Sequence, residues 1–173
     1  MSPAWRAPGR PPAPRVLDGT FWHQGPVRLA ADHLVHPARY AARFRKAGGP
    51  GTWYASSSEA AAWAELARHA PDLPVADLRP RRVCKVRVRA LSVVDLLDVE
   101  TLAALGLGAA ALISDEADDL AVLADMAAWA HAEGFGGILT PSAALVAAIT
   151  LVVFSSGMHA VDVESERIAD PPA

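Results

Sequence analysis

An α+β fold, a small mixed β-sheet core flanked by helices, is what this sequence predicts. Three observations carry that reading. Short apolar or alternating runs and amphipathic stretches follow one another without a strict βαβ rhythm. Arg81 to Ala90 has the pattern of a half-buried strand: from Lys85 to Ala90 basic side chains take one face and apolar ones the other. Asp118 to Glu133 is an amphipathic helix, with Leu120, Leu123, Ala124, Ala127 and Ala128 on one stripe and Gly134 at its end. No G-x-G-x-x-G follows a strand and no G-x-x-x-x-G-K-[ST] occurs, so neither a Rossmann fingerprint nor a P-loop is present.

The remaining elements follow in order. Residues 1–18, rich in Pro, Arg and Ala, read as an extended lead-in, because proline fixes φ and removes a donor. Residues 19–164 read as one domain. Thr20 to His23 is its first strand, ended by Gly25-Pro26, and Leu29 to Arg45 is partly helical with a break at His36-Pro37. A Gly/Pro turn at 48–51 leads into a strand at Thr52 to Ala55. Ser56 as N-cap with Glu59 three residues on completes a capping box for a helix from about Ser57 to His69, stopped by Pro71 and Pro74. Ser92 to Leu97 is a further strand or turn, and Val99 to Leu107 a helix. Gly137 to Leu139, Leu151 to Phe154 and His159 to Val163 are short strands, and residues 165–173 are a polar tail. No internal repeat is present.

Composition narrows the class. An apolar share of 52% against 20% charged residues is a globular balance with enough apolar material for a sizeable core. A net charge of -3 argues against a nucleic-acid binder. The single cysteine, Cys84, excludes an internal disulfide and a cysteine-rich metal site, and fits a reducing cytoplasm. The N-terminus has no apolar h-region of a secretory signal. The uncharged stretch Gly136 to Gly157 contains Pro141 and several hydroxyl residues, and reads as loop, helix and buried strand rather than as a membrane span.

Chemistry concentrates between Arg39 and Arg68. A basic cluster (Arg39, Arg43, Arg45, Lys46) precedes the turn, aromatic Trp53-Tyr54 follows it, and Glu65 sits in an otherwise apolar helix. Cation, aromatic ring and carboxylate in that order suit a protein that holds a dinucleotide and breaks its glycosidic bond. The cation meets pyrophosphate, the ring stacks, and the carboxylate stabilises positive charge on a ribose. Each residue also has a plainer reading. Arg43 can be a solvated cation near a helix end, Tyr54 a core tyrosine, and Glu65 a solvent-facing carboxylate near Arg68 and His69. Asp115 to Asp119 reads as a solvated helix start. His33-x-x-His36 lacks a third ligand and is disturbed by Pro37, so no metal is expected. His23 suits a core as well as a site, and Ser142, without a surrounding G-x-S-x-G, is a ligand-binding or helix-capping hydroxyl rather than a nucleophile.

Together these pieces resemble the RES domain family, over roughly Thr20 to Ser156. The family's aromatic–Arg pair falls on Trp22-His23, its G-G-R-W-like segment on Ala41-Ala42-Arg43-Phe44, and its Y-x-(S/A)-x-S strand on Tyr54-Ala55-Ser56-Ser57 after Trp53. Its helical Glu falls on Glu65, its G-(F/D)-x-G-I-x-x-P-S segment on Gly134 to Ser142, and its L-V-x-F strand on Leu151 to Phe154. The resemblance implies a fold similar to the NAD-binding core of ADP-ribosyltransferase toxins. It implies a cytoplasmic toxin of a toxin–antitoxin pair that cleaves the nicotinamide–ribose bond of NAD+ by hydrolysis or phosphorolysis. Inorganic phosphate is then a candidate co-substrate, and no metal, nucleic acid or membrane takes part. The implied partner is an Xre-like antitoxin, with a homo-oligomer formed through it. ADP-ribosyl transfer, or a binding module that has lost catalysis, are the alternatives. By position, Arg43 would bind the pyrophosphate, Tyr54 would pack on the nicotinamide or its ribose, Glu65 would stabilise the oxocarbenium, and Ser142 would seat the nicotinamide end. His23 stands where an Arg is usual, which implies a weaker phosphate contact. Thr150 stands where Asn often precedes the last strand.

Overall fold

The structure, a computed structural model, describes residues 5–33, 42–72 and 78–172. Among these residues the strands are β1 (Arg15–Pro26), β2 (Thr52–Ser56), β3 (Arg81–Asp95), β4 (Gly137–Pro141), β5 (Ile149–Phe154) and β6 (Val161–Ala169). The helices are α1 (Glu59–His69), α2 (Val99–Leu105) and α3 (Ala117–Ala132). The strands hydrogen-bond in the order β1-β2-β5-β4-β3-β6, and β3 pairs back to β1. Five strands therefore close a small barrel, and β6 lies on β3 as an outer strand. Only β3–β4 is parallel among the named pairs. The seam between β1 and β2 is narrow, a single register pair Trp22–Ser56. The expected mixed sheet with flanking helices is the observed class; its closure into a barrel was not expected.

Alternation decides what fills the barrel. Side chains of one parity on every strand, among them Leu17, Phe21, Trp53, Val86, Val88, Leu139, Leu151 and Val153, form the inner core. The opposite parity carries Ile138, Val152 and Phe154, which pack outward against Leu102 and Leu105 of α2 and Leu123, Met126, Ala127 and Ala130 of α3. Strands buried on both sides read as continuous apolar runs, which is why Leu151 to Phe154 has no polar alternation. Gly137 and Gly157 are glycines for reasons of space. A Cβ at Gly137 would press into the Val152 carbonyl, and one at Gly157 into the Gly136 carbonyl.

Several expectations change. The first strand runs from Arg15 to Pro26, so it begins inside the Pro-rich lead-in and passes through Gly25-Pro26. Arg81–Ala90 and Ser92–Leu97 are not separate elements. They join in one strand through an irregularity at Ala90, whose φ is +51° and whose N–H donates to Asp18 Oδ1 at 3.2 Å. The bulge shifts parity, so that Val88 and Leu91 both face inward. The polar tail from Ser165 is mostly strand: β6 pairs with β3 as far as Ala169. Its acids face the bases of β3, with Arg82–Glu166 at 2.6 Å, Lys85–Glu164 at 3.5 Å and Arg89–Asp162 at 3.5 Å. The α1 N-cap is Ser58, whose side chain accepts from Ala61 N at 3.1 Å; Ser56 belongs to β2, so the capping box does not form. Residues 29–33 and 42–45 form turns and a bridge rather than helix, and 34–41 lie outside the described residues. Gly136 to Gly157 holds β4, a turn, β5 and a 3-10 turn, with no helix. Among the described residues no helix is long and apolar enough to cross a membrane.

Candidate active site

Glu65 lies on the face of α1 that follows Ser58 and Ala62 by helical spacing, so it meets the sheet rather than solvent. Its side chain is 23% exposed. Oε1 accepts from the Ser142 hydroxyl at 2.8 Å and the Thr150 hydroxyl at 3.3 Å, while Oε2 stands 3.9 Å from His69 Nε2. Ser142 and Thr150 are buried just beyond the end of β4 and near the start of β5. The Ser142 hydroxyl also accepts from Ala144 N and Leu145 N, which fixes its position under the carboxylate. The solvent-facing reading of Glu65 is thereby set aside: it is a carboxylate with two dedicated hydroxyl donors.

Arg43 approaches from the turn at 42–45. Its Nη1 donates to Leu112 O at 3.2 Å and to Ser114 O, and its Nη2 donates to Asp115 Oδ1 at 2.9 Å. Burial pulls its pKa down, Asp115 and Glu65 raise it, and Arg68 lowers it further, which places all four charges in one electrostatic neighbourhood. Arg68, three residues after Glu65 on α1, donates through Nη1 to Ala143 O at 2.6 Å and through Nη2 to both Asp115 oxygens. The Asp115 pKa is lowered, first by its hydrogen bond from Arg68. The expectation of N-cap chemistry there is corrected. The N-cap of α3 is Glu116, which makes no side-chain cap bond, and Asp115 bridges two arginines instead.

Tyr54 and Trp53 point to opposite sides of β2, and both are packed. Trp53 is in the inner core, and Tyr54 lies against the outer one. Register places Tyr54 beside Val152, with Ser56, Thr150 and Thr140 on the same outer face. The Tyr54 hydroxyl is buried near Thr52 and the Phe44 backbone without reaching hydrogen-bond geometry to either, and burial pushes its pKa up. The Thr140 hydroxyl is likewise buried with no partner among the described residues. Two unsatisfied hydroxyls on one face are costly in a folded protein, by about 1–3 kcal/mol each.

His23 is not brought into this cluster. Its ring stacks on Trp53 at 4.6 Å, toward the inner core, and touches Tyr54 only through the backbone: Nδ1–H donates to the Tyr54 carbonyl at 2.7 Å. Burial, the largest influence, pushes its pKa down to about 4 from 6.5. The folded protein therefore resists protonating this ring more than the unfolded chain does. Stability is full above about pH 6.5 and is lost as pH falls toward 4. The loss is expected to reach up to roughly 3 kcal/mol, read as denaturant midpoints across that range, and to shrink in His23→Gln. An unchanged slope in the variant would remove His23 as the cause.

Sequence reasoning missed Arg68, Thr150 and Asp115 as members of the cluster. Arg68 had a signal, since residues three apart on a helix share a face with Glu65. Asp115 had none, because it arrives from a loop far along the chain. Of the pair His33 and His36, from which no metal site is expected, His33 is exposed and His36 lies outside the described residues. Among the described residues no group of three or more His, Cys, Asp or Glu gathers.

Comparison with known proteins gives the family of the chain. The RES domain matches residues 3–171. A protein of Mycobacterium tuberculosis named "Probable NAD(+) phosphorylase" is 39% identical over 159 residues, which is 91% of this chain and 75% of that one. Among solved structures, the crystal structure of the M. tuberculosis MbcT–MbcA toxin–antitoxin complex contains a chain of the same fold. The TM-score is 0.73 at 18% identity, over 91% of this chain and 87% of the other. With a family match running almost end to end and a relative of this identity along most of its length, the chain belongs to the RES domain family.

Proposed function

We propose that this chain degrades NAD+ by cleaving the nicotinamide–ribose bond, as a toxin held in check by an antitoxin. The observation that carries the reading is Glu65, a carboxylate fixed by the Ser142 and Thr150 hydroxyls within the electrostatic neighbourhood of Arg43 and Arg68. The name of the mycobacterial relative supplies the substrate class, and the complex in which the structural neighbour was solved supplies the kind of partner. Of the partner types, an Xre-like antitoxin is the one the family resemblance implies.

In this reading the arginines meet the pyrophosphate, and the ribose lies over Glu65. The C1′–N bond breaks with its electron pair passing to the nicotinamide nitrogen, which becomes neutral. The ribose becomes oxocarbenium-like, and the Glu65 carboxylate stabilises that charge. A phosphate oxygen then bonds to C1′ and gives the ribosyl phosphate, or water does so and loses a proton. Tyr54, on the outer face of β2 beside Val152, would pack on the nicotinamide or its ribose.

The test is NAD+ loss from purified protein, followed by NMR with and without inorganic phosphate. Loss that depends on phosphate names phosphate as acceptor, and loss without it names water. Label transferred from NAD+ to a protein would name an ADP-ribosyltransferase. No loss under any of these conditions would sink the proposed activity.

A further inference from the structure

We propose that Arg68 completes, with Arg43, a two-guanidinium site for a phosphate group, and that Asp115 is the internal anion occupying this site until substrate displaces it. The identity of that substrate rests on the NAD+-cleaving reading; the site itself rests on geometry.

Arg43 and Arg68 reach Asp115 from unrelated parts of the fold, a turn before β2 and the last turn of α1. Yet the Nη2 groups of both donate to the same atom, Asp115 Oδ1, and Arg68 donates to Oδ2 as well. A carboxylate gripped this way presents its oxygens much as a phosphate would to two planar forks. The far nitrogens of both guanidiniums are tied elsewhere. Arg43 Nη1 is held by the Leu112 and Ser114 carbonyls, and Arg68 Nη1 by the Ala143 carbonyl at 2.6 Å. Removing Asp115 would therefore leave both Nη2 groups aimed where they are, a preorganised anion site.

Exposure says which partner can leave. The Arg43 side chain is 15% exposed and that of Arg68 24%, whereas that of Asp115 is 72% exposed. The cations are built into the protein and the anion hangs from a surface loop between a 3-10 turn and α3. The site also adjoins the carboxylate. Ala143, which holds Arg68, follows Ser142, which holds Glu65. A phosphate seated on the two arginines would lie next to whatever Glu65 acts on.

Either the pyrophosphate of a dinucleotide or an inorganic phosphate has this chemistry, and titration separates them. ADP-ribose, inorganic pyrophosphate and orthophosphate would each be titrated calorimetrically, at one fixed ionic strength, into the full chain and into Asp115→Asn, Arg68→Gln and the double variant. Asp115→Asn keeps the shape and removes the competing charge. It is expected to bind the occupying ligand about tenfold more tightly, while Arg68→Gln binds it about tenfold more weakly and the double variant shows no gain over Arg68→Gln. A gain with ADP-ribose and pyrophosphate assigns the site to the dinucleotide; a gain with orthophosphate alone assigns it to the acceptor. Affinities in Asp115→Asn at or below those of the unaltered chain for all three anions, with the thermal midpoint unchanged, overturn the proposal. Should Asp115→Asn fail to fold, Arg68→Gln decides alone, and unaltered affinity for all three anions overturns it. These titrations need no turnover. A chain inert toward NAD+ that still shows the gain keeps the anion site and loses the enzymatic reading; NAD+ loss without the gain does the reverse.

Discussion

Glu65→Gln is expected to lower NAD+ consumption by about 10²–10³-fold, the size of effect seen when one preorganised electrostatic contact to a developing charge is lost. The substitution is close to isosteric. The glutamine carbonyl oxygen can still accept from Ser142 and Thr150, whose hydroxyls now hold the carboxylate at 2.8 and 3.3 Å. The fold and the hydrogen bonds therefore survive, and only the negative charge of the carboxylate goes. The thermal midpoint should move little, which separates a catalytic loss from an unfolded protein. NAD+ consumption in the variant within a few-fold of the unaltered chain would remove Glu65 from the chemistry and send the search to the arginines.

Phe154→Ala should be the most destabilising of the substitutions considered, by about 3–5 kcal/mol. Phe154 ends β5, is fully buried, and packs outward into the core shared with α2 and α3, with its ring edge-on to His131 at 5.5 Å. Truncation would open a cavity where the barrel meets the helical layer, in a region too tightly packed to collapse around it. Its neighbours Gly136 and Gly157 already sit at the closest approach their backbones allow. Denaturant unfolding would read the loss as a lower midpoint with an unchanged slope. A cost below about 1 kcal/mol would mean that the helices hold to the barrel by other contacts.

Local patterns were legible and long-range partners were not. The basic and apolar faces of Lys85 to Arg89 fall where alternation put them, because a strand's period is fixed by its backbone. The helix at 117–132 was written in its apolar stripe and in the glycine beyond it, Gly134, which takes φ +88°. The break in parity at Ala90 was invisible, since a bulge depends on the partner strand and on Asp18. The tail from Ser165 is strand for a similar reason: Glu166 reads as part of a polar tail until β3 supplies Arg82 opposite it. In the site, Glu65 and Ser142 were found and are bonded to one another, and Arg43 shares their neighbourhood. His23 was placed there by position in a motif, but the stacking on Trp53 turns it away. Asp115 could not be found, because no sequence signal links a loop residue to two arginines that lie dozens of positions earlier.

The outer strand also bears on how copies of the chain coexist at high concentration. Among the described residues β6 has a neighbour on one side only, so its other edge presents free backbone donors and acceptors, with Val163 and Ile168 exposed along it. Such an edge is a template for end-on growth into fibrils. Here the acidic side chains that neutralise β3 also act as gatekeepers: a second copy docking edge to edge would crowd Asp162, Glu164 and Glu166 against their own counterparts. That protection weakens in acid, where carboxylates discharge, and in strong salt, where they are screened. Those are the storage conditions under which this protein would be the most prone to precipitate.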